Sequence, residues 1–289
     1  MMKTIGFIGT GVMGTGMIKQ LLAKGNNVKV YTRTPSRAAA VIAAGAIYVE
    51  TAQQLAQQVD VVFTMVGYPT DVEQLYLGRE GILTAAKTGT IFVDMTTSSP
   101  SLAHELYVKG LSLRQHVLDA PVSGGDVGAQ NGTLAIMVGG DEAIFNAIKP
   151  LFEQIGATIV YQGSAGNGQH TKMVNQIAVA GTMLGVVEAI VYAEKMQLDV
   201  NNVLKAVASG AAGSWTMSNL APRIVAGDFE PGFFIKHFIK DMKIALDEAE
   251  KCHFELPGLA TAERLYEQLA INGLSEKGTQ ALYHYYFAN

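Results

Sequence analysis

Cysteine is almost absent from the sequence, with Cys252 the single one among 289 residues. One thiol excludes an internal disulfide and fits a reducing compartment, so a cytoplasmic protein is expected. Because no partner motif surrounds Cys252, the sequence predicts that it is a buried small hydrophobe. The six histidines show no metal-ligand spacing, so no metal site is predicted.

Charge is also scarce, and none of it is clustered. Charged residues make up 16% of the chain and the net charge is -4 without a basic block, which argues against nucleic acid as a partner. Residues 9–11 (Gly-Thr-Gly) interrupt the apolar N-terminus, so no signal peptide is expected. Only 15 uncharged residues separate Lys172 from Glu188, whereas a bilayer core needs roughly 20, so no membrane partner is predicted.

Apolar residues, in contrast, make up 49% of the chain, enough for a large core and two domains. In the first half, short apolar runs alternate with helical patterns. Strands are predicted at residues 3–9, 27–31, 47–49, 60–66, 90–94, 117–119, 133–138 and 158–161. This alternation predicts an α/β fold with a mostly parallel sheet covered on both faces.

Beyond residue 163 the strand pattern ends. Helices are predicted at residues 170–196, 200–208, 214–225, 234–252, 257–272 and 276–286. We therefore predict a dinucleotide-binding domain over residues 1–163 and an all-α C-terminal domain, for substrate binding and oligomerisation, over residues 164–289. The long helix at about residues 170–196 joins them. It is apolar on nearly every face, so it is expected to be buried.

The first predicted strand runs directly into a glycine-rich loop and then a helix. Gly9 permits the tight turn, Gly11 leaves room for a pyrophosphate, and Gly14 lets helix and strand pack closely. Val12 and Met13 open the helix, whose N-terminal N–H groups can bind phosphate. Strand, G-x-G-x-x-G and helix in this order predict a Rossmann-type, doubly wound sheet that binds a dinucleotide.

The end of the second predicted strand distinguishes the two nicotinamide cofactors. An acidic residue there would bind the ribose 2′-hydroxyl, but the sequence has Thr32, Arg33 and Thr34. Arg33 can form charge-assisted hydrogen bonds with a 2′-phosphate, so NADP is predicted, with NAD as the alternative. Met65 and Val66, at the end of a later strand, are expected to face the cofactor.

Two polar groups of residues indicate chemistry near the domain junction. Lys172 and Asn175 are three residues apart, which places them on one face of the long helix. Alternatively, Lys172 is a lysine whose stem lies along apolar surface. Ser123, Gly124 and Gly125 offer a hydroxyl and N–H groups for a substrate carboxylate, and the alternative is a plain glycine turn.

These residues resemble the β-hydroxyacid dehydrogenase family, which includes 3-hydroxyisobutyrate dehydrogenase and tartronate semialdehyde reductase. Four motifs match in the family's order and span almost the whole chain, at residues 6–14, 119–125, 166–175 and 240–246. The resemblance implies that Lys172 is the catalytic acid/base and that Asn175 steadies it or the substrate. The histidine that a 6-phosphogluconate dehydrogenase has in this motif is missing.

The resemblance also implies roles for residues elsewhere in the chain. Ser123, Gly124 and Gly125 would hold the substrate. Thr97 and Lys240 would contact the cofactor, and Asp241 would anchor Lys240 or close the site. Phe233 would line the substrate pocket, and the chain would form a homodimer or homotetramer.

The expected reaction is the interconversion of a small β-hydroxy acid and its semialdehyde or 3-oxo acid. Reduction creates an alkoxide, which an ammonium can stabilise and protonate. Oxidation needs a neutral lysine, although a free lysine has a pKa of about 10.4. Burial and the positive end of the helix dipole are expected to lower it. The alternatives are an NAD-linked 3-hydroxyisobutyrate dehydrogenase and a noncatalytic NADP-binding scaffold.

Overall fold

The computed structural model describes residues 3–287. The chain divides into two compact units, Met1–Lys172 and Met173–Asn289. The division falls within one long helix, so Lys172 is the last residue of the first unit. The predicted boundary at residue 163 coincides with the end of the last strand.

The first unit contains a sheet whose described part has nine strands. These are β1 Ile5–Ile8, β2 Val28–Tyr31, β3 Ile47–Tyr48, β4 Val61–Thr64, β5 Ile91–Asp94, β6 His116–Asp119, β7 Val122–Ser123, β8 Leu134–Gly139 and β9 Gly156–Gly163. Their order is β3-β2-β1-β4-β5-β6-β8-β7, and β9 also pairs with β8. The β6–β8 and β7–β8 pairs are antiparallel and all the others are parallel. The predicted mostly parallel sheet is confirmed.

Eight α-helices accompany this sheet in the described part of the first unit. They are α1 Val12–Ala23, α2 Ala39–Ile42, α3 Ala52–Gln58, α4 Pro69–Leu77, α5 Ile82–Ala85, α6 Pro100–Ser112, α7 Gly125–Asn131 and α8 Glu142–Phe152. Alternate strand residues belong to separate apolar clusters, with Phe7 and Phe63 in one and Ile8 and Val62 in the other. The central strands are therefore buried on both faces, which explains their unbroken apolar runs.

The second unit is helical, as predicted. Its helices are α9 Asn167–Lys195, which begins in the first unit, α10 Val200–Val207, α11 Trp215–Asn219, α12 Ala221–Val225, α13 Ile235–Lys251 and α14 Pro257–Leu269, followed by a 3₁₀ helix at Thr279–Tyr286. The single helix predicted at residues 214–225 is wrong, because the chain forms two helices that meet at Leu220. Pro222 lies in the first turn of the second helix, where proline is favoured.

Helix α9 is less buried than its composition predicts. Met183 and Val187 are fully buried, but Val174 and Tyr192 on the other side are 66% and 65% exposed. The expectation that this helix is buried is therefore wrong for one of its faces. By length and mean hydropathy (1.6) it could also cross a membrane. Its buried side packs within the apolar core of the second unit, which accounts for that composition.

Cys252 corrects a second expectation, because it is exposed rather than buried. It follows the last turn of α13, where its N–H donates to the carbonyl groups of Glu248 and Ala249. Its place at a helix end, rather than its apolar character, decides its exposure.

Gly14 sets how closely α1 packs on β1. A Cβ at this position would overlap the carbonyl oxygen of Gly9 and lie 3.2 Å from Cε1 of Phe7. Both neighbours are held in place, since one is backbone and the other is a core ring. The helix can therefore approach the strand only with glycine at this position.

We expect Gly14→Ala to lower the free energy of unfolding by about 1–3 kcal/mol, because the added methyl group overpacks this contact. Gly258→Ala is the matched control, since a Cβ on this helical glycine would meet no atom within 4 Å. The control should leave stability unchanged or slightly raised. Urea unfolding of both variants measures the difference, and equal stabilities would contradict the packing argument.

Candidate active site

The loop between β1 and α1 is shaped to receive a phosphate. Gly9 has φ of 105°, a left-handed conformation that favours glycine. Gly11 is the N-cap of α1, and a Cβ on it would meet no atom within 4 Å. Because Gly11 has no side chain to cap the helix, the first N–H groups, those of Val12 and Met13, are available to a ligand. These residues fit the pyrophosphate of a dinucleotide.

Arg33, just beyond β2, is held by a residue from a different loop. Its Nη1 lies 2.9 Å from Oδ1 of Asp71, in the first turn of α4. The other oxygen of Asp71 accepts a hydrogen bond from the Tyr68 N–H at 3.1 Å. The Arg33 side chain is 74% exposed, so it also reaches solvent. Thr34 is the exposed N-cap of the following 3₁₀ helix.

The loops after β4 and β5 are joined through Thr96. Its Oγ1 accepts a hydrogen bond from the Val66 N–H at 3.0 Å, and its own N–H donates to Oδ1 of Asp94 at 3.1 Å. Met65 and Thr97 are half-buried in these loops. Met65, Val66 and Thr97, three of the residues expected to contact the cofactor, thus lie in the loops after β4 and β5.

Asp94, at the end of β5, is a buried carboxyl group. Its Oδ1 also accepts a hydrogen bond from Thr64 Oγ1 at 2.8 Å, and Thr64 is paired in turn with the Tyr76 hydroxyl at 2.9 Å. Burial raises the pKa of Asp94 from 3.8 to about 6, the charge of Asp119 adds to the rise, and the hydrogen bonds oppose it.

Asp119, at the end of β6, holds the start of α9. One carboxylate oxygen accepts the Gly166 N–H at 2.8 Å and the other accepts the Gln169 N–H at 2.9 Å. Burial raises the pKa of Asp119, although these backbone donors oppose the shift. Its carboxylate offsets the positive end of the helix dipole. Lys172, one turn beyond Gln169, is itself buried, at 6% exposed.

Gln169, one turn before Lys172, is fully buried. Its Nε2 donates to the Thr96 carbonyl at 2.8 Å, and its Oε1 accepts the Ser98 N–H at 2.9 Å. The side chain therefore connects the first turn of α9 with the two residues that flank Thr97.

The predicted carboxylate-binding loop follows from the same strand end as Asp119. Ser123 lies in β7, opposite Ala135 of β8, and is half-buried. Gly124 and Gly125 have φ of 128° and 62°, so both positions favour glycine. Left-handed glycines in succession turn the chain sharply into α7.

Within the second unit, a chain of polar contacts joins Asn175 to Lys240. Asn175 Nδ2 donates to Gln176 Oε1 at 2.7 Å, and Gln176 Nε2 donates to Asp241 Oδ2 at 2.6 Å. Lys240 Nζ lies 3.0 Å from Asp241 Oδ1. Of the two roles considered for Asp241, this contact fits the anchoring of Lys240.

Phe233 has an aromatic environment in the second unit. Its ring packs edge-on against Phe238 at 5.6 Å between centroids, and Phe238 packs in the same way against Tyr266. Phe233 is half-buried at the side of the helical core. It is therefore part of the core packing, whatever else it contacts.

Sequence reasoning missed the polar residues that support the predicted ones. Gln169 and Gln176 share the helical face of Lys172, because the spacing of i, i+3 and i+7 brings residues onto one side. Two glutamines inside an otherwise apolar helix could have indicated these supporting residues from the sequence. No local signal exists for Asp71, since its partner Arg33 lies in another βα unit.

Two family models match the chain. Residues 4–163 match the NAD-binding domain of 6-phosphogluconate dehydrogenase. Residues 166–286 match a domain described as the NAD-binding domain of NADP-dependent 3-hydroxyisobutyrate dehydrogenase. A nicotinamide cofactor is thus supported by models that cover both halves.

Known proteins are similar to the chain over nearly its whole length. It is 55% identical over 283 residues to the uncharacterized oxidoreductase YkwC of Bacillus subtilis (strain 168), covering 98% of each. It is 40% identical over 278 residues to 2-hydroxy-3-oxopropionate reductase of Escherichia coli (strain K12), covering 96% and 95%. The structure of Mycobacterium tuberculosis 3-hydroxyisobutyrate dehydrogenase with L-serine aligns with a TM-score of 0.92 at 31% identity, covering 100% of both chains.

The buried carboxyl of Asp94 generates a prediction about stability and pH. The pKa of Asp94 in the folded protein, about 6, lies above its value in the unfolded chain. The free energy of unfolding therefore falls as the pH rises from the unfolded value to the folded one. Asp94→Asn keeps an acceptor oxygen for Thr64 and Thr96 and removes this loss. We expect the variant to gain on the order of 2–3 kcal/mol over wild type between about pH 4 and about pH 6, and no more above that.

Urea unfolding across this pH range measures the gain. Asp247→Asn, which changes an exposed carboxylate of α13, is the control and should show no such rise. A constant difference between Asp94→Asn and wild type over the same range would contradict the raised pKa.

Proposed function

The chain belongs to the β-hydroxyacid dehydrogenase family, and from that premise we propose that it interconverts a small β-hydroxy acid and its semialdehyde or 3-oxo acid, preferring NADP. Its relatives include proteins named as a hydroxy-acid dehydrogenase and an oxo-acid reductase, and both of its family models describe nicotinamide-binding domains. The observation that carries the proposal is Lys172, a buried lysine on the helix whose first turn is hydrogen-bonded to Asp119 at the end of β6 and to Thr96 just after β5. Nucleotides bind at that edge of a doubly wound sheet.

Lys172 acts as the general acid and base of this proposal. The bound nicotinamide supplies or accepts the hydride. In reduction, the Lys172 ammonium stabilises the developing alkoxide and donates its proton to that oxygen. In oxidation, the neutral amine takes the proton of the substrate hydroxyl. Asn175, one turn further along α9, steadies the lysine or the substrate.

The substrate carboxylate is assigned to Ser123, Gly124 and Gly125. The hydroxyl and the two glycine N–H groups are donors that suit an anion, and the left-handed glycine backbone supports this use. In the second unit, Phe233 supplies an apolar surface beside the helical core, and Asp241 holds Lys240, which is assigned to the cofactor together with Thr97.

The preference for NADP rests on Arg33. It is the charged residue that follows β2, and its exposed guanidinium can reach a 2′-phosphate. Asp71 has two effects on it, because its carboxylate orients Arg33 and also repels a phosphate. An NAD-linked 3-hydroxyisobutyrate dehydrogenase is the second candidate, and this ion pair is the observation that favours it.

Subunit association is part of the proposal, as a homodimer or homotetramer. Gly181 and Gly185 lie on the exposed face of α9, where a Cβ would meet no atom within 4 Å, so another helix can approach there. The C-terminal 3₁₀ helix packs on α9, with Tyr283 bonded to Glu194 and Tyr286 to Glu188. A cytoplasmic location fits the one unpaired thiol.

We expect Lys172→Met to lower kcat by about 10²- to 10⁴-fold, because the proton donor is lost, while the Kd for NADPH stays unchanged. Glyoxylate, succinic, tartronate and methylmalonate semialdehydes are tested with NADPH, and 3-hydroxyisobutyrate with NADP. Wild-type oxidation should accelerate toward alkaline pH, because the neutral amine is the base.

Lys195→Met, at the exposed far end of the same helix, is the control and should retain wild-type rates. Full turnover by Lys172→Met would remove the assigned acid and base. NADPH binding without turnover of any of these substrates by the wild type would favour the noncatalytic scaffold.

Arg33→Ala should weaken NADPH binding by about 10- to 100-fold and leave NADH binding nearly unchanged, because only NADPH carries the 2′-phosphate. Asp71→Asn should shift the preference toward NADPH, since it frees Arg33 and removes a repelling charge. Arg79→Ala, an exposed arginine beyond α4, is the control. Fluorescence titration measures each Kd, and equal weakening of both cofactors by Arg33→Ala would contradict its assignment.

A further inference from the structure

Gln169 joins two parts of the proposed site that are more than 70 residues apart in the sequence. Its amide pairs with the Thr96 carbonyl and with the Ser98 N–H, across separations of 73 and 71 residues. All of these groups are in the first unit and are buried or part of a buried hydrogen bond. The contact is therefore a tertiary link between α9 and the loop after β5.

The two bonds fix the backbone on both sides of Thr97. A glutamine amide has a donor end and an acceptor end, and here each end meets a backbone group of matching kind. The carbonyl before Thr97 and the N–H after it are thus held by one planar group. Because Thr96 also accepts the Val66 N–H, the loop after β4 is held by the same contact.

The backbone of Gln169 is also held in place. Its own N–H donates to Asp119 Oδ2, and the preceding Gly168 has no space for a side chain, since a Cβ would lie 2.8 Å from the Asp119 carbonyl oxygen. The helix turn therefore cannot move relative to β6 without breaking these contacts. Lys172 lies three residues further on, on the face of α9 that Gln169 occupies.

We propose that Gln169 is a positioning residue that sets the distance between the Thr97 loop, which contacts the cofactor, and the helix turn that carries Lys172. This inference rests on the proposed function of those two residues. An apolar side chain at position 169 would leave a buried carbonyl and a buried N–H unpaired, and the loop would relax to satisfy them.

The test compares Gln169→Leu with Gln115→Leu. Gln115 is also a buried glutamine of the first unit, 2% exposed, and its Nε2 donates to the Ala86 carbonyl at 3.2 Å, outside the proposed site. Both variants should lose similar thermal stability. Only Gln169→Leu should weaken NADPH binding, by about tenfold, and lower kcat by about 10- to 100-fold with a smaller change in substrate KM.

A readout without cofactor comes from hydrogen exchange of the peptide over residues 96–99. In the ligand-free protein the Ser98 amide should be protected in wild type and in Gln115→Leu. It should exchange faster in Gln169→Leu, because its acceptor is gone. Unchanged exchange together with wild-type kcat and NADPH affinity would overturn the proposal and leave Gln169 a purely structural residue.

Gln169→Glu is the second variant, because it keeps the shape and the acceptor for the Ser98 N–H. Its ionised form cannot donate to the Thr96 carbonyl, whereas its protonated form can donate. Its defect in NADPH binding, relative to wild type, should therefore shrink as pH falls. A defect that is the same at every pH would contradict the proposed donor role.

Failure of this inference can be distinguished from failure of the proposed function. Lys172→Met should lose turnover and keep NADPH affinity and Ser98 protection, whereas Gln169→Leu should change all three. If the wild type reduces no semialdehyde, the exchange and NADPH titrations still decide whether Gln169 holds the loop.

Discussion

The carboxylate of Asp119 is the contact on which the arrangement of the site depends. A buried charge without partners is costly, and this one is paired with N–H groups 47 and 50 residues away, at the start of α9. Strand β6 and helix α9 are thereby joined at a fixed point. This contact also sets the position of Lys172 relative to the sheet, because Lys172 follows in the same regular helix.

Buried polar groups gather at this edge of the sheet because a parallel sheet directs its strand ends to one side. Asp94 and Asp119 are register partners on neighbouring strands, and both have pKa values raised by burial. Hydrogen bonds from Thr64, Thr96 and the start of α9 partly offset the cost. The helix dipole acts on Lys172 less than its position in the first turns suggests, because Asp119 already occupies the positive end.

Sequence patterns predicted the fold because each strand and helix has a recognisable pattern within its own few residues. Buried parallel strands have continuous apolar runs. The glycines at positions 9, 11 and 14 are required by the backbone conformation and by close packing, and the G-x-G-x-x-G spacing identifies them. The same reasoning missed short elements such as β7, Val122–Ser123, which has two residues and no periodicity. It also overestimated the burial of α9, because composition does not distinguish a core face from an exposed apolar one.

The sequence by itself determined the doubly wound sheet, the helical second unit, the glycine loop and the positions of Lys172 and Asn175 on one helix, since each depends on neighbours within a few residues. Only the tertiary structure decided that Arg33 pairs with Asp71 and that Gln169 holds the Thr96 and Ser98 backbone. These partners are dozens of residues apart. A hydrogen bond between them depends on how separate strands and helices pack, which no local spacing records.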